Sequence, residues 1–424
     1  MHPADESRFP LMALVRQSLP RSALTDVPAA TISSLRQSFI FDSVRPGARI
    51  AVAVGSRGIG RLAEIVAACI DFLKKQGFSP FIVPAMGSHG GATAAGQCQL
   101  LAGLGISEDA LQVPIAADMA VDTVGRLDCG LDVFVSRAAR AADHIFVINR
   151  VKPHTKFTAD RESGLAKMLA VGLGKAEGAA AIHRFAVRHT FAVIDQAAKQ
   201  ILAACPVLGG LAIVEDGYGM PERLETVAAA DLMETERHLL RQARKMLPGI
   251  PLEGIDLLVV DRIGKNISGI GMDSNVTGRH RDITGDFFLP PYVRRIFVRD
   301  LDPQSHGNAN GIGLADFTTS RLVRAMDRDQ TSLNALTAIS PEKAALPLWF
   351  DSDRAAIAAA LGTCGPVAPE NARVVRIRDT AHLETLAVSR AFEREILDHP
   401  SLALTGGWSP LAFDGRGNLV PETL

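Results

Sequence analysis

The apolar positions of the chain fall into short runs separated by stretches of helical spacing. Residues 49–54 (RIAVAV) form a compact run of β-branched and small residues, which reads as a buried strand. Gly55 to Gly60 follow, and from Arg61 to Lys75 the apolar residues recur at helical intervals, with Gly77 placed to end that helix. The same reasoning predicts a strand at 80–84 (PFIVP), a helix at 94–104, a strand at 144–149 (HIFVIN) and a long helical stretch at 176–204. Further strands are expected at 210–215 (GLAIVE), 256–261 (DLLVVD) and 372–377 (ARVVRI). Strands alternating with helices imply βαβ units and a largely parallel sheet.

Residues 247–254 (LPGIPLEG) hold two prolines and two glycines and read as a linker. Beyond them, residues 262–280 and 303–313 are rich in Gly, Asn and Ser with little periodicity. The expected fold class is therefore α/β, with two α/β domains of mostly parallel sheet and an active-site cleft between them. The first spans 1–250 and carries the candidate chemistry. The second spans 251–400 and closes the cleft, and the tail 401–424 is expected to pack back on the first.

The length of 424 residues agrees with more than one domain. Lys and Arg number 45 against 46 Asp and Glu, which removes support for nucleic-acid or membrane-surface binding. Five scattered cysteines (Cys69, Cys98, Cys129, Cys205, Cys364) form no C-x-x-C pair. That argues for a reducing compartment and against a zinc ribbon or disulfide framework. The start, MHPADESRFPLMALVRQ, has no apolar signal core, and no run approaches a membrane span. A cytoplasmic protein is expected.

The turn Gly55-Ser-Arg-Gly58-Ile-Gly60 follows a strand and opens a helix, as in dinucleotide-binding units. An NAD(P)-dependent oxidoreductase is thus one reading. Against it, the second strand ends in FIVPAMGSH with no acid to accept a ribose hydroxyl. The only tyrosines, Tyr218 and Tyr292, have Glu222 and Ile296 four residues on, so no Tyr-x-x-x-Lys pair exists. The turn remains able to hold an anion, with Arg57 placed to clamp a carboxylate or phosphate.

Three histidines stand out. His89 lies in Gly87-Ser-His-Gly-Gly91 after a strand, and His154 in Lys152-Pro-His-Thr-Lys156. Loops at strand C-termini are where α/β proteins place ligands. His183 lies in a helix-compatible stretch, Ala181-Ile-His-Arg184. Lys167 sits among small and apolar neighbours in Ser163-Gly-Leu-Ala-Lys-Met168, surroundings that favour a reactive amine.

Arg57, His89, His154, Lys167 and His183 occur in that order, with His183 sixteen residues after Lys167. In this pattern the chain resembles the nickel-pincer-nucleotide-dependent lactate racemase family, as a divergent member, chiefly over residues 45–190. The resemblance implies a cofactor, the pyridinium-3-thioamide-5-thiocarboxylic acid mononucleotide with Ni(II), covalently bound at Lys167. It implies that His183 ligates nickel and that Ser56 and Ser88 help bind the cofactor. His89 and His154 become the acid/base pair, with Arg57 and Lys265 binding the substrate carboxylate. The implied activity is racemisation or epimerisation of a 2-hydroxy acid, by hydride transfer to and from the cofactor while a histidine handles the hydroxyl proton. The implied partners are a small 2-hydroxy acid and the proteins that build the cofactor. A non-catalytic homologue that binds an organic acid or nickel is the other alternative.

Overall fold

The computed structural model describes residues 9–424, apart from 23, 57 and 421–423. The chain divides into two compact units, Pro20–Leu247 and Met1–Leu19 with Pro248–Leu424. The break at Leu247 falls in the proline- and glycine-rich linker.

The Pro20–Leu247 unit contains the strands β1 (Arg49–Val54), β2 (Ser79–Pro84), β3 (Val121–Arg126), β4 (Asp132–Ser136), β5 (His144–Arg150), β6 (Val207–Glu215) and β7 (Pro221–Ala228). Five of them form one sheet in the order β2-β1-β5-β6-β7, while β3 and β4 make a separate antiparallel ribbon. In that sheet β1 pairs in parallel with β2 and β5, β5 pairs in parallel with β6, and β7 runs antiparallel to β6. The run RIAVAV is continuously apolar because both faces of β1 are covered. Ile50, Val52 and Val54 point into a core with α1 (Val27–Gln37) and α2 (Leu62–Lys75). Ala51 and Ala53 face the opposite core with α4 (Lys175–His189), α5 (Ala192–Ala204) and α6 (Leu232–Met246). A further helix, α3 (Ala94–Gly103), follows β2. Gly77 takes the left-handed conformation (φ +81°) and its N–H bonds Lys74 O at 2.9 Å, ending α2 as expected. The long helical stretch predicted at 176–204 is two helices, broken at Thr190, whose φ of +57° cannot continue a helix.

The other unit carries an eight-stranded sheet. Leu348–Phe350, Phe317–Thr319, Arg295–Leu301, Leu257–Ile263 and Val374–Ile377 lie side by side in parallel. Thr385–Ser389, Met12–Gln17 and Leu402–Leu404 then complete it in antiparallel pairing. The strand Met12–Gln17 was not legible as a strand, yet it lies between two others. The tail is corrected by the same pairing. Leu402–Leu404 adds to Met12–Gln17, and Phe413 packs against Phe9 with ring centroids 5.4 Å apart. Residues 401–424 therefore belong to this unit and not to the first, because an open strand edge takes the next strand available.

All five cysteines are free, as their spacing implies. Among the described residues no helix is long and apolar enough to cross a membrane. Val15, fully buried on Met12–Gln17, tests the role of that strand. Val15→Ala should lower stability to denaturant by about 2 kcal/mol. An unchanged midpoint would mean that the strand contributes nothing to the sheet.

Candidate functional site

The strands β2, β1 and β5 are neighbours running the same way, so the loops after Pro84, Val54 and Arg150 leave one edge of the sheet. The chain passes from β1 to one side and returns to β5 on the other. Such a reversal of strand order at C-terminal strand ends is where open α/β sheets bind ligands. The three loops carry Ser56, His89 and His154.

The His89 loop is held from several directions. Ser56 Oγ and His89 Nδ1 lie 2.5 Å apart, joining the first loop to the second. Thr93 caps α3 by accepting from Gly96 N at 3.1 Å, and its hydroxyl donates to Gly90 O at 3.0 Å. Gly90 (φ +67°) packs on Gly96 so closely that a Cβ at either would strike the other's backbone. Gly90, directly after His89, is thus required by this contact. Gly87 N donates to Gly172 O at 3.1 Å, fixing the loop to the segment that follows Lys167. His89 and Ser88 are exposed, and Ser88 O accepts from Ala92 N at 3.1 Å.

Lys167 ends the short helix Leu165–Lys167, which runs directly into a π-helical turn over Met168–Gly172. Leu173 N bonds Met168 O at 2.9 Å across that turn. Such turns recur at functional sites. Leu165, Ala166, Met168 and Leu169 are buried, and Lys167 alone among them reaches the surface. Asn149 at the end of β5 donates to Gly164 O at 2.8 Å, and Glu236 Oε2 accepts from Ala166 N at 2.9 Å. Burial of Glu236 pushes its carboxyl up to about 7, against the Ala166 and Leu165 N–H groups, which favour its charge. A Cβ at Gly55 would lie 3.1 Å from Met168 Cε, so the first loop also abuts this segment.

The third loop is closed by Lys152 and Ser163, which exchange two backbone hydrogen bonds. Inside it, Glu162 is buried and accepts from His154 N at 2.5 Å, Ala159 N at 3.0 Å and Arg244 Nη2 at 2.6 Å. His154 Nδ1 accepts from Lys156 N at 3.1 Å, so a neutral ring carries its proton on Nε2. Its ring stacks on Phe157 at 4.4 Å, and Phe157 stacks on Phe191 at 4.4 Å. His183, on α4, meets the edge of the same Phe191 at 6.2 Å, and Lys156 Nζ lies 6.0 Å from its centroid. Burial holds His154 well below the usual imidazole range, aided by the positive charges of Lys167, Lys156, Lys152 and His183. His154, Lys167 and His183 therefore share one electrostatic neighbourhood.

Arg57 lies outside the described residues. Lys265 belongs to the other unit, where its N donates to Ser305 Oγ at 3.1 Å and its Nζ to Asn334 Oδ1 at 2.7 Å. Ser56 has a contact that its sequence position did not foretell, the one to His89. Phe157, Phe191, Glu162, Glu236, Gln97 and Lys175 also went unread. The sparse aromatics were a usable signal, since a chain with 5% aromatic residues places two of them here.

In the Gly55–Gly60 turn the packing requires a glycine at position 60. A Cβ at Gly60 would lie 2.1 Å from Gly219 O. Gly60 N donates to Glu215 Oε1 at 2.9 Å, and Arg150 pairs with the other oxygen of Glu215. A carboxylate thus takes the donor that a dinucleotide pyrophosphate needs.

No family model matches the chain, and no curated protein matches it in sequence. The structure is similar to that of the lactate racemase apoprotein from Thermoanaerobacterium thermosaccharolyticum. The identity is 11%, the TM-score is 0.47, and the match covers 79% of this chain and 93% of that one.

Two outcomes follow from these contacts. Titration with NAD(P)H, followed by its fluorescence, should show no saturable binding to millimolar concentration; saturation would reinstate the oxidoreductase reading. The second concerns Glu236, whose folded carboxyl near 7 stands above the ordinary 4.5. Between those values the folded chain binds more protons than the unfolded one. Stability therefore falls as pH rises through that window, by on the order of 3 kcal/mol. The difference between wild type and Glu236→Gln in denaturation midpoint should trace this fall, whereas parallel curves would show that Glu236 is not the group responsible.

Proposed function

We propose that the protein is a racemase or epimerase of a 2-hydroxy acid that works with a nickel-pincer nucleotide tethered to Lys167. The observation that carries this reading is that His154 and His183 both pack on the Phe157–Phe191 stack and Lys167 lies within electrostatic reach of His154, with His89 held on the adjoining loop. These are the residues whose order and spacing gave the family resemblance.

The donor set fits such a group. Among the described residues no cluster of three or more His, Cys, Asp or Glu side chains is formed that could hold a metal. A metal at His183 must then take its remaining donors from a bound cofactor, which the sulfur and carbon atoms of a pincer provide. Lys167 is half-buried between buried neighbours, which is compatible with a tethering amine. When bound, the nucleotide supplies a hydride acceptor, so that C2 need not be deprotonated.

The chain's own groups do the rest. The lysines around His154 favour an anionic substrate. His89 holds Nδ1 against Ser56 Oγ and presents Nε2. With Nδ1 protonated, Nε2 takes the hydroxyl proton as C2 loses its hydride, leaving a 2-keto acid. His154, neutral and carrying its proton on Nε2, faces an oxygen as donor. The keto oxygen would take its proton back from His89 Nε2 if the hydride were supplied again at the other face, so that atoms and electrons balance. For the enantiomer whose hydroxyl lies on the other side, His154 would act as the base only with its ring proton moved to Nδ1 and the Lys156 N–H bond given up.

Intact mass and peptide mapping of protein made together with the cofactor-assembly enzymes test this reading. The expected result is a pincer nucleotide on the Lys167 peptide with about one nickel per chain, both lost in Lys167→Ala. His183→Ala should keep the adduct and lose nickel. His89→Ala and His154→Ala should keep both and lose turnover by about 10²–10⁴-fold. Protein that carries neither adduct nor nickel would end the proposal. Protein that carries both without exchanging hydrogen at C2 of any 2-hydroxy acid would favour a non-catalytic binding homologue.

A further inference from the structure

Lys175 is a cation that the reading above leaves unused. It is fully buried at the first position of α4, in a left-handed conformation (φ +54°). A non-glycine residue held there is strained and persists only where its surroundings impose it. Its ammonium donates to Pro84 O, the last carbonyl of β2, at 2.7 Å and to Gln97 Oε1 at 3.2 Å. Asp118 and Cys98 lie within electrostatic reach, and burial outweighs both, bringing the amine down to about 8.

Gln97 is fully buried too, on α3. Its amide accepts from Lys175 through Oε1 and donates through Nε2 to Gly87 O at 2.9 Å and His89 O at 3.4 Å. The amide therefore has one end on the start of the His183 helix and the other on the backbone of the His89 loop. A buried amide whose acceptor and donor are both engaged has a fixed orientation.

We infer that Lys175 and Gln97 form a relay that sets the position of His89 relative to His183, with Lys175 and Gln97 as positioning residues for the acid/base chemistry. The inference rests on the proposed function for its catalytic consequence, but its structural content does not. Gly87 N to Gly172 O fixes the loop to the π turn, while the relay reaches α4 itself. The exposed His89 ring is held at Nδ1 by Ser56 Oγ, and the relay holds the backbone under it.

Gln97→Glu separates the two halves of the relay. It keeps an acceptor for Lys175, and indeed gives it an ion pair, but removes the donor to Gly87 O and His89 O. Lys175→Met is the second variant, removing the ammonium at nearly constant length. The apo proteins, labelled with ¹⁵N in histidine and assigned with His89→Gln, are compared by NMR. In both variants the His89 ring signals should shift or broaden while the chain stays folded. In cofactor-loaded protein kcat should fall about tenfold to a hundredfold with KM little changed, as expected when a reacting group is misplaced and binding is not. A folded Gln97→Glu protein with unaltered His89 signals and unaltered kcat overturns the relay. If wild-type protein shows no turnover at all but the His89 signals respond as stated, the proposed function fails and the relay stands.

Discussion

The parallel pairing of β1 on both its sides is the constraint on which the site depends. Because β2, β1 and β5 run the same way in adjacent positions, their three outgoing loops must emerge together. That pairing requires covered faces, and the unbroken apolar run of β1 meets the requirement with Ile50, Val52 and Val54 on one side and Ala51 and Ala53 on the other. The sheet sends the loops that carry Ser56, His89 and His154 out along one edge, and contacts such as Ser56 Oγ to His89 Nδ1 then join loop to loop.

Charge is arranged around these loops in a consistent sense. The positive groups Lys152, Lys156, Lys167 and His183 act on the His154 ring, whereas the carboxylates Glu162 and Glu236 are turned inward onto backbone N–H groups. Glu162 shapes the His154 loop and Glu236 caps the Lys167 segment. The acids thus organise the main chain. Glu215 does the same at the Gly55–Gly60 turn, where it takes the N–H of Gly60.

Much of this was legible in the sequence because it is local. Apolar runs gave the strands β1, β2 and β5, and the glycines and proline beside His89 and His154 marked functional loops after them. The sixteen-residue step from Lys167 to His183 could be read directly. What could not be read is non-local or conformational. Met12–Gln17 becomes a strand only because Thr385–Ser389 and Leu402–Leu404 flank it. The break at Thr190 carries no proline or glycine to announce it. Phe157 and Phe191 are far apart in the chain and acquire meaning only when stacked. Lys175 and Gln97 look like ordinary helix residues until burial leaves each with the other as partner.

The helix α4 is bracketed by two left-handed residues, Lys175 at its start and Thr190 just past its end. Both are side-chain-bearing residues in a conformation that glycine would adopt without strain. Thr190 turns the chain so that Phe191 comes back beneath His183, and Lys175 seats the other end in the core. The helix is therefore held as a strut under load, its length and rotation set by its two anchors more than by its own propensity. A sequence chosen for stability alone would relax both ends, and the imidazole of His183 would then lose its fixed bearing on Phe191.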